Sequence, residues 1–141
     1  MMAAVAAQGF RELTQAMMDA AGQRPDALDR LKCAGLGYVT FALRRPEHFT
    51  AMFDAPISKH KHPDSAAAAE QAFGTLMSFV KGCQDAGRLP SGDLRQMALL
   101  PWSMVHGVAK LAITRRLPFS SRAEVLKFAE FVIDQSLPVG R

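Results

Sequence analysis

Residues 97–113 of the chain read MALLPWSMVHGVAKLAI, an apolar stretch in which Lys110 is the single charged residue. Apolar residues recur in it at spacings of three and four, which is the period of an α-helix, and they occupy nearly all sides of that helix. A helix of this kind is buried on more than one side. Pro101 lies inside the stretch and is expected to remove one backbone hydrogen bond and to bend the axis. The stretch therefore predicts an interior helix of an all-α domain.

Outward from this helix the same spacing predicts five more, and no segment alternates with period two over a useful length. We therefore expect an all-α bundle of about six helices formed by residues 1–141 as one domain. Gly22 suits a left-handed helix end, and Ser121 with Glu124 forms a capping box. The stretch from Asp54 to Asp64 is predicted to be a solvated loop. The predicted helices begin near Ala3, Pro25, Pro46, Ser65, Asp93 and Ser121 and end near Ala21, Arg44, Phe53, Gly87, Thr114 and Ser136.

Composition and charge exclude several classes of protein. Hydrophobic residues make up 49% of the 141 residues and charged residues 21%, which is the composition of a folded domain rather than a disordered chain. The net charge of +4 is spread over predicted helix ends, as in Arg44-Arg45 and Arg115-Arg116, and does not form the stripe typical of a nucleic-acid reader. No stretch has the ~20 apolar residues that a membrane span requires, and the start lacks the basic region of a signal peptide. We expect a cytoplasmic protein.

Residues that could carry chemistry are few. His60 and His62 lie in the predicted loop without the further ligands that zinc requires, and Cys33 and Cys83 are too far apart for a redox pair. The segment 35–37, Gly-Leu-Gly, lies inside a helix and is expected to let a neighbouring helix approach closely rather than to bind a dinucleotide. We therefore predict no enzyme, no metal and no cofactor.

The most informative cluster is WSMVHG at 102–107. Trp102 and His106 are four residues apart and share one helix face. Gly107 costs about 1 kcal/mol in a helix interior relative to Ala, which suggests that another group must come close to the backbone there. That group is either a packed helix, within the subunit or across a dimer, or a ligand. His106 is correspondingly either a structural histidine that is hydrogen-bonded to a carbonyl or a polar contact for a ligand.

At these residues the chain resembles a known family. The segment Trp102–Gly107 is similar to the Trp-x-x-Val-His-Gly core of certain TetR-type transcriptional regulators, in their C-terminal effector-binding domain. The segments 37–42 and 46–53 resemble the second and third helices of that domain, and 87–89 and 3–10 also fit. The similar segments occur in the same order over nearly the whole chain.

The resemblance implies a homodimer that is formed by the last two helices of each subunit, and a pocket for a small hydrophobic effector among the middle helices. Effector binding would shift the first helix and so change the spacing of two DNA-binding heads. His106 is the candidate polar contact, and the candidate dimer residues are Ala109, Ile113, Phe128, Val132 and Ile133. The candidate pocket residues are Tyr38, Phe41, Phe49, Met52, Phe53, Phe73, Met77 and Trp102.

The sequence departs from that family in two respects: no helix-turn-helix head precedes the first helix, and Pro101 is expected to bend the dimer helix just before Trp102. For the missing head, three explanations are open: a fragment, a start site set too late, or a natural headless protein. DNA would therefore be reached only through a head that this chain lacks, and we expect the chain alone not to bind duplex DNA specifically. A second hypothesis is a headless dimerisation partner that modulates full-length regulators without sensing an effector. A third is a small helical metal or cofactor protein.

Overall fold

The chain folds as a bundle of six α-helices, which a computed structural model describes for residues 2–54 and 58–139. These residues contain no β-strand, so the predicted all-α bundle is confirmed. The helices are α1 (Met2–Ala21), α2 (Ala27–Arg44), α3 (Pro46–Phe53), α4 (Pro63–Asp85), α5 (Leu94–Ile113) and α6 (Arg122–Ser136).

The ends of the helices follow local sequence signals. Gly22 has a φ of +58°, the left-handed geometry that glycine adopts without strain, and its N–H donates to the Met18 carbonyl. Ser121 caps α6, where its hydroxyl oxygen accepts from the Glu124 N–H at 3.2 Å. The Glu124 carboxylate in turn accepts from the Ser120 N–H.

Two predicted helix starts were wrong. Pro25 lies outside α2, because the Asp26 carboxylate accepts from the Asp29 N–H at 3.1 Å and so fixes Ala27 as the first helical residue. Helix α4 begins at Pro63 rather than near Ser65, since a proline needs no N–H partner in the first turn. The connection between α3 and α4 is correspondingly shorter than predicted. Residues 55–57 of that connection, with Pro56, lie outside the described residues.

Helix α2 is the centre of the bundle, because it packs against each of the other five helices. Helix α1 crosses it on one side and also covers α3 and α4, whereas α5 and α6 pack on the other side. Most of its side chains are buried as a result, including Leu31, Val39 and Phe41.

Two glycines of α2 let the neighbouring helices α1 and α6 pack closely against it. A Cβ on Gly37 would lie 2.8 Å from the Ala16 carbonyl oxygen and 2.7 Å from the Ala20 Cβ of α1. A Cβ on Gly35 would lie 3.0 Å from the Ile133 Cδ1 of α6. The prediction that this Gly-Leu-Gly segment lets helices approach closely is therefore confirmed.

Helix α5 packs on α2, α4 and α6 and continues without a break through the buried Pro101. Its burial on more than one side is confirmed, although one stripe faces outward. Leu99, Ser103 and Leu111 are exposed, and a Cβ on Gly107 would meet nothing within 4 Å. Within the described residues of one subunit, no group therefore requires a glycine at position 107.

The close crossing at Gly37 gives a direct test of the fold. We expect Gly37→Ala to lower the free energy of unfolding by about 1–3 kcal/mol, because the added methyl group meets backbone atoms of α1 that cannot turn aside. Gly74→Ala is the matched control, since its Cβ would meet nothing within 4 Å on an exposed face of α4. That change should raise the free energy of unfolding by roughly 0.5–1 kcal/mol. Urea unfolding measures both, and equal effects would contradict the crossing.

Candidate ligand cavity

A cavity of about 430 Å³ lies between the first five helices. This volume is within the range of pockets that hold drug-sized molecules, roughly 300–1,000 Å³. Helices α1, α3 and α4 each contribute two or more side chains, whereas α2 and α5 contribute one each. The lining residues are Phe10, Leu13 and Met17 of α1, Tyr38 of α2, Met52, Phe53 and Asp54 of α3 and its end, Ala69, Ala72, Phe73 and Leu76 of α4, and Trp102 of α5.

The cavity exists because small side chains stand where large ones would fill the space. Ala69 and Ala72 belong to the alanine-rich first half of α4 and face the large side chains of α1. A buried methyl group on α4 leaves room that a leucine at the same position would occupy. The lining is therefore mostly apolar, and among the described lining residues polar side chains come from Tyr38, Asp54 and Trp102.

Tyr38 connects the cavity to a hydrogen-bond relay. The indole Nε1–H of Trp102 donates to the Tyr38 hydroxyl oxygen at 3.0 Å. The hydroxyl hydrogen is then free to donate to His106 Nδ1, 2.7 Å away. This arrangement makes Nδ1 an acceptor and leaves the proton of a neutral His106 on Nε2. The relay joins α2 to α5 beside the cavity through side-chain hydrogen bonds.

The surroundings of the relay keep its members uncharged. Burial raises the pKa of Tyr38 well above its ordinary value, so the phenol stays protonated. Burial lowers the pKa of His106, and the Lys110 ammonium lowers it further. The His106 ring stacks on Phe49 with 5.3 Å between centroids and makes a T-shaped contact with Phe53 at 4.5 Å, so these two rings cover part of the imidazole.

Asp54 brings a charge to the edge of the cavity. It ends α3, and its carboxylate Oδ1 lies 3.5 Å from the Lys110 Nζ of α5. Both side chains are about half exposed, so the pair is weak. Lys110 itself is not among the residues that line the cavity.

The structure brings five of the nine predicted ligand-binding residues to the cavity: Tyr38, Met52, Phe53, Phe73 and Trp102. His106 and Phe49 lie behind Tyr38 and Phe53, and His106 reaches the lining through the Tyr38 hydroxyl. Whether any of these residues binds a ligand stays a prediction.

Phe41 and Met77 do not line the cavity. Phe41 lies on another side of α2, where it contributes to an outer groove between α1 and α2. Met77 is half-buried and packs against the core.

Sequence reasoning missed the α1 wall and the small residues of α4. The spacing of Phe10, Leu13 and Met17 places them on one apolar face of the first helix, but spacing does not indicate what that face meets. The alanines carried a weak signal, because Ala69 and Ala72 recur at the same spacing as Phe73 and Leu76.

Two of the predicted dimer residues lie inside the subunit. Ala109 is fully buried, and Ile133 is buried against Gly35 of α2, so neither has surface to offer a partner. Ile113, Phe128 and Val132 are half-buried. The large exposed apolar side chains of α5 and α6 are instead Leu99, Leu111 and Phe131.

The described residues contain no group of three or more His, Cys, Asp or Glu side chains that could hold a metal ion. His60 and His62 are exposed in the loop before α4, and Cys33 and Cys83 are free thiols. In the ranges that the structure describes, no helix is long and apolar enough to cross a membrane.

The chain is similar to a known protein family and to a solved structure. Residues 31–135 match the family model described as "Tetracyclin repressor-like, C-terminal domain". A solved structure of a protein with unknown function from Rhodococcus sp. RHA1 is similar with a TM-score of 0.83 and 26% sequence identity, over 96% of this chain and 71% of that chain. No curated protein matches. The matched range begins within α2, so α1 with its three cavity residues precedes it.

The neutral state of His106 has a consequence for pH dependence. Because folding lowers the pKa of His106, the unfolded chain takes up this proton first as the pH falls through about 6.5. We expect the free energy of unfolding to decrease between about pH 7 and pH 5. His106→Gln, which retains an acceptor for the Tyr38 hydroxyl, should give a flatter profile, and urea unfolding at several pH values measures it. His60→Gln in the exposed loop controls for the loss of one histidine, and an unchanged slope in His106→Gln would contradict the assignment.

Proposed function

We propose that this chain, which belongs to the tetracyclin repressor-like C-terminal domain family, is the effector-sensing and dimerisation domain of a transcriptional regulator. In this role it binds a small hydrophobic effector, pairs with a second copy of itself in the cytoplasm, and acts on DNA through a separate helix-turn-helix head. On the segment Trp102–Gly107 we assign it to the Trp-x-x-Val-His-Gly group of that family.

The observation that carries the proposal is the apolar cavity of about 430 Å³, one wall of which is formed by α1. Phe10 of α1 meets the edge of Phe53 at 5.4 Å between ring centroids, so α1 and α3 close on each other beside the cavity. An effector in the cavity would contact Phe10, Leu13 and Met17 together. Its binding energy would then depend on where α1 lies, which is the linkage that a sensor requires.

The polar contact for the effector is the Tyr38 hydroxyl, positioned by His106 and Trp102. The hydroxyl oxygen accepts one hydrogen bond from Trp102 and has a second lone pair. A ligand hydroxyl or N–H could donate to it. In this proposal His106 acts through Tyr38 and not by touching the effector.

Trp102 is the single tryptophan of the chain and lines the cavity, so its fluorescence reports on occupancy. We expect 4-phenylbutanol, an apolar body with one hydroxyl group, to change this fluorescence saturably. Ala72→Leu should lower its affinity at least tenfold, because the larger side chain fills the cavity, while the free energy of unfolding stays within about 1 kcal/mol. Ala67→Leu on the exposed side of α4 is the matched control. Equal binding by the two variants, or no saturable change in wild type, would contradict the proposal.

The proposed dimer surface comprises the outward stripe of α5 and the exposed side chains of α6. Leu99, Ser103, Gly107 and Leu111 follow one another at intervals of four and so share one face of α5. A partner helix that crosses at Gly107 would account for a glycine that none of the described residues of the subunit requires. On α6, Phe131 is 58% exposed and stacks on Phe128.

A charged side chain introduced into this surface by substitution tests whether the surface forms the dimer. We expect wild type to sediment at twice the chain mass of 15.3 kDa and Phe131→Glu to raise the dimer dissociation constant at least tenfold. Met18→Glu is the matched control, because Met18 of α1 is 51% exposed and lies outside the proposed surface. Sedimentation equilibrium measures both. A monomeric wild type at high micromolar concentration, or an unaffected Phe131→Glu dimer, would overturn this part of the proposal.

A further inference from the structure

We infer that the cavity selects amphiphilic cations, with an apolar body inside the lining and an ammonium group beside Asp54. This inference rests on the proposed function and adds the chemical class of the effector. It is carried by the charges and rings that surround the cavity.

Asp54 is the single charged residue among the described residues that line the cavity. All other lining side chains are apolar or are neutral aromatic donors. A ligand with an anionic end would meet this carboxylate first, whereas a cationic end would find a partner there. A charge-assisted hydrogen bond of this kind is stronger than a neutral one.

The end of α3 adds to the negative potential at the same place. Asp54 follows the last residue of α3, and its N–H donates to the Thr50 carbonyl. The carbonyl groups of the final turn point out of the helix end and carry its partial negative charge. The carboxylate and the helix end therefore both favour a cation.

Aromatic rings make the cavity lining as a whole favourable to a cationic ligand. Phe10, Tyr38, Phe53, Phe73 and Trp102 all line the cavity, and the faces of such rings attract cations within about 6 Å. Phe73 already shows this contact in the structure, because the guanidinium carbon of Arg95 lies 5.4 Å from its ring centroid.

Lys110 pairs with Asp54 from outside the lining and does not block the cavity. The two charges are 3.5 Å apart, at the long end of an ion pair, and the Lys110 side chain is 44% exposed. Its long apolar stem lets the ammonium group turn into water when another cation arrives. Lys110 is thus a weak competitor for the same carboxylate.

Three ligands with one apolar body test the inference: 4-phenylbutylamine, 4-phenylbutanol and 4-phenylbutanoate, each titrated at neutral pH against Trp102 fluorescence. We expect the ammonium form to bind about tenfold more tightly than the alcohol, and the carboxylate to bind most weakly. In Asp54→Asn the ammonium ligand should bind within about twofold of the alcohol, because the carboxylate that favours the cation is removed. Lys110→Met should tighten the ammonium ligand a few-fold, because it removes the competing cation.

The outcomes separate this inference from the proposed function. If the alcohol binds but the ammonium ligand shows no preference, or if Asp54→Asn leaves the preference intact, the cation site is refuted and the effector cavity stands. Tightest binding of the carboxylate would also refute it. If none of the three ligands changes Trp102 fluorescence saturably, both proposals fail. Ala72→Leu must weaken all three ligands, which shows that the signal comes from the cavity.

Discussion

The fold depends on the close contact between α1 and α2 at Gly37. At that residue a side chain would overlap the backbone of Ala16, so the glycine sets how near the two helices can lie. Tyr38 follows directly and is turned toward the cavity and α5. The same short segment of α2 thus fixes one helix on its outer side and carries the polar group of the cavity on its inner side. Helix α2 packs against all five other helices, and Gly37 and Gly35 let α1 and α6 approach it closely.

The relay of Trp102, Tyr38 and His106 explains how polar atoms are tolerated in an apolar interior. Trp102 donates a hydrogen bond to the Tyr38 hydroxyl oxygen, and the Tyr38 hydroxyl donates to His106 Nδ1. Among the described residues, no buried side-chain nitrogen or oxygen lacks a hydrogen-bond partner. Burial holds the phenol and the imidazole in their neutral forms, so no charge has to be desolvated. A ligand can therefore meet an ordered hydroxyl group at little cost in reorganisation.

The two proposed activities use different faces of the same helices. The inner face of α5 supplies Trp102 to the cavity and His106 to the relay, whereas its outer stripe, which includes Gly107, faces away from the subunit core. Ligand and partner would therefore act on one rigid element from opposite sides. Helix α1 differs, because it packs on α2, α3 and α4 and lines the cavity along one face. This makes α1 the element whose position responds most directly to what the cavity contains.

The sequence by itself determined the six helices, most of their ends and the side chains that share a face, because these follow from the periodicity and the capping chemistry of neighbouring residues. It also indicated that Trp102 and His106 share one helix face and that Gly35 and Gly37 serve close packing. Only the tertiary structure decided that Tyr38 bonds to His106, 68 residues away, that α1 and the alanines of α4 enclose a cavity, and that Ala109 and Ile133 are internal. The period of a helix gives its apolar face, but the rotation of each helix against its neighbours decides what that face meets. Whether the side chains of five helices fill the space between them depends on all their volumes at once, which no single segment of sequence contains.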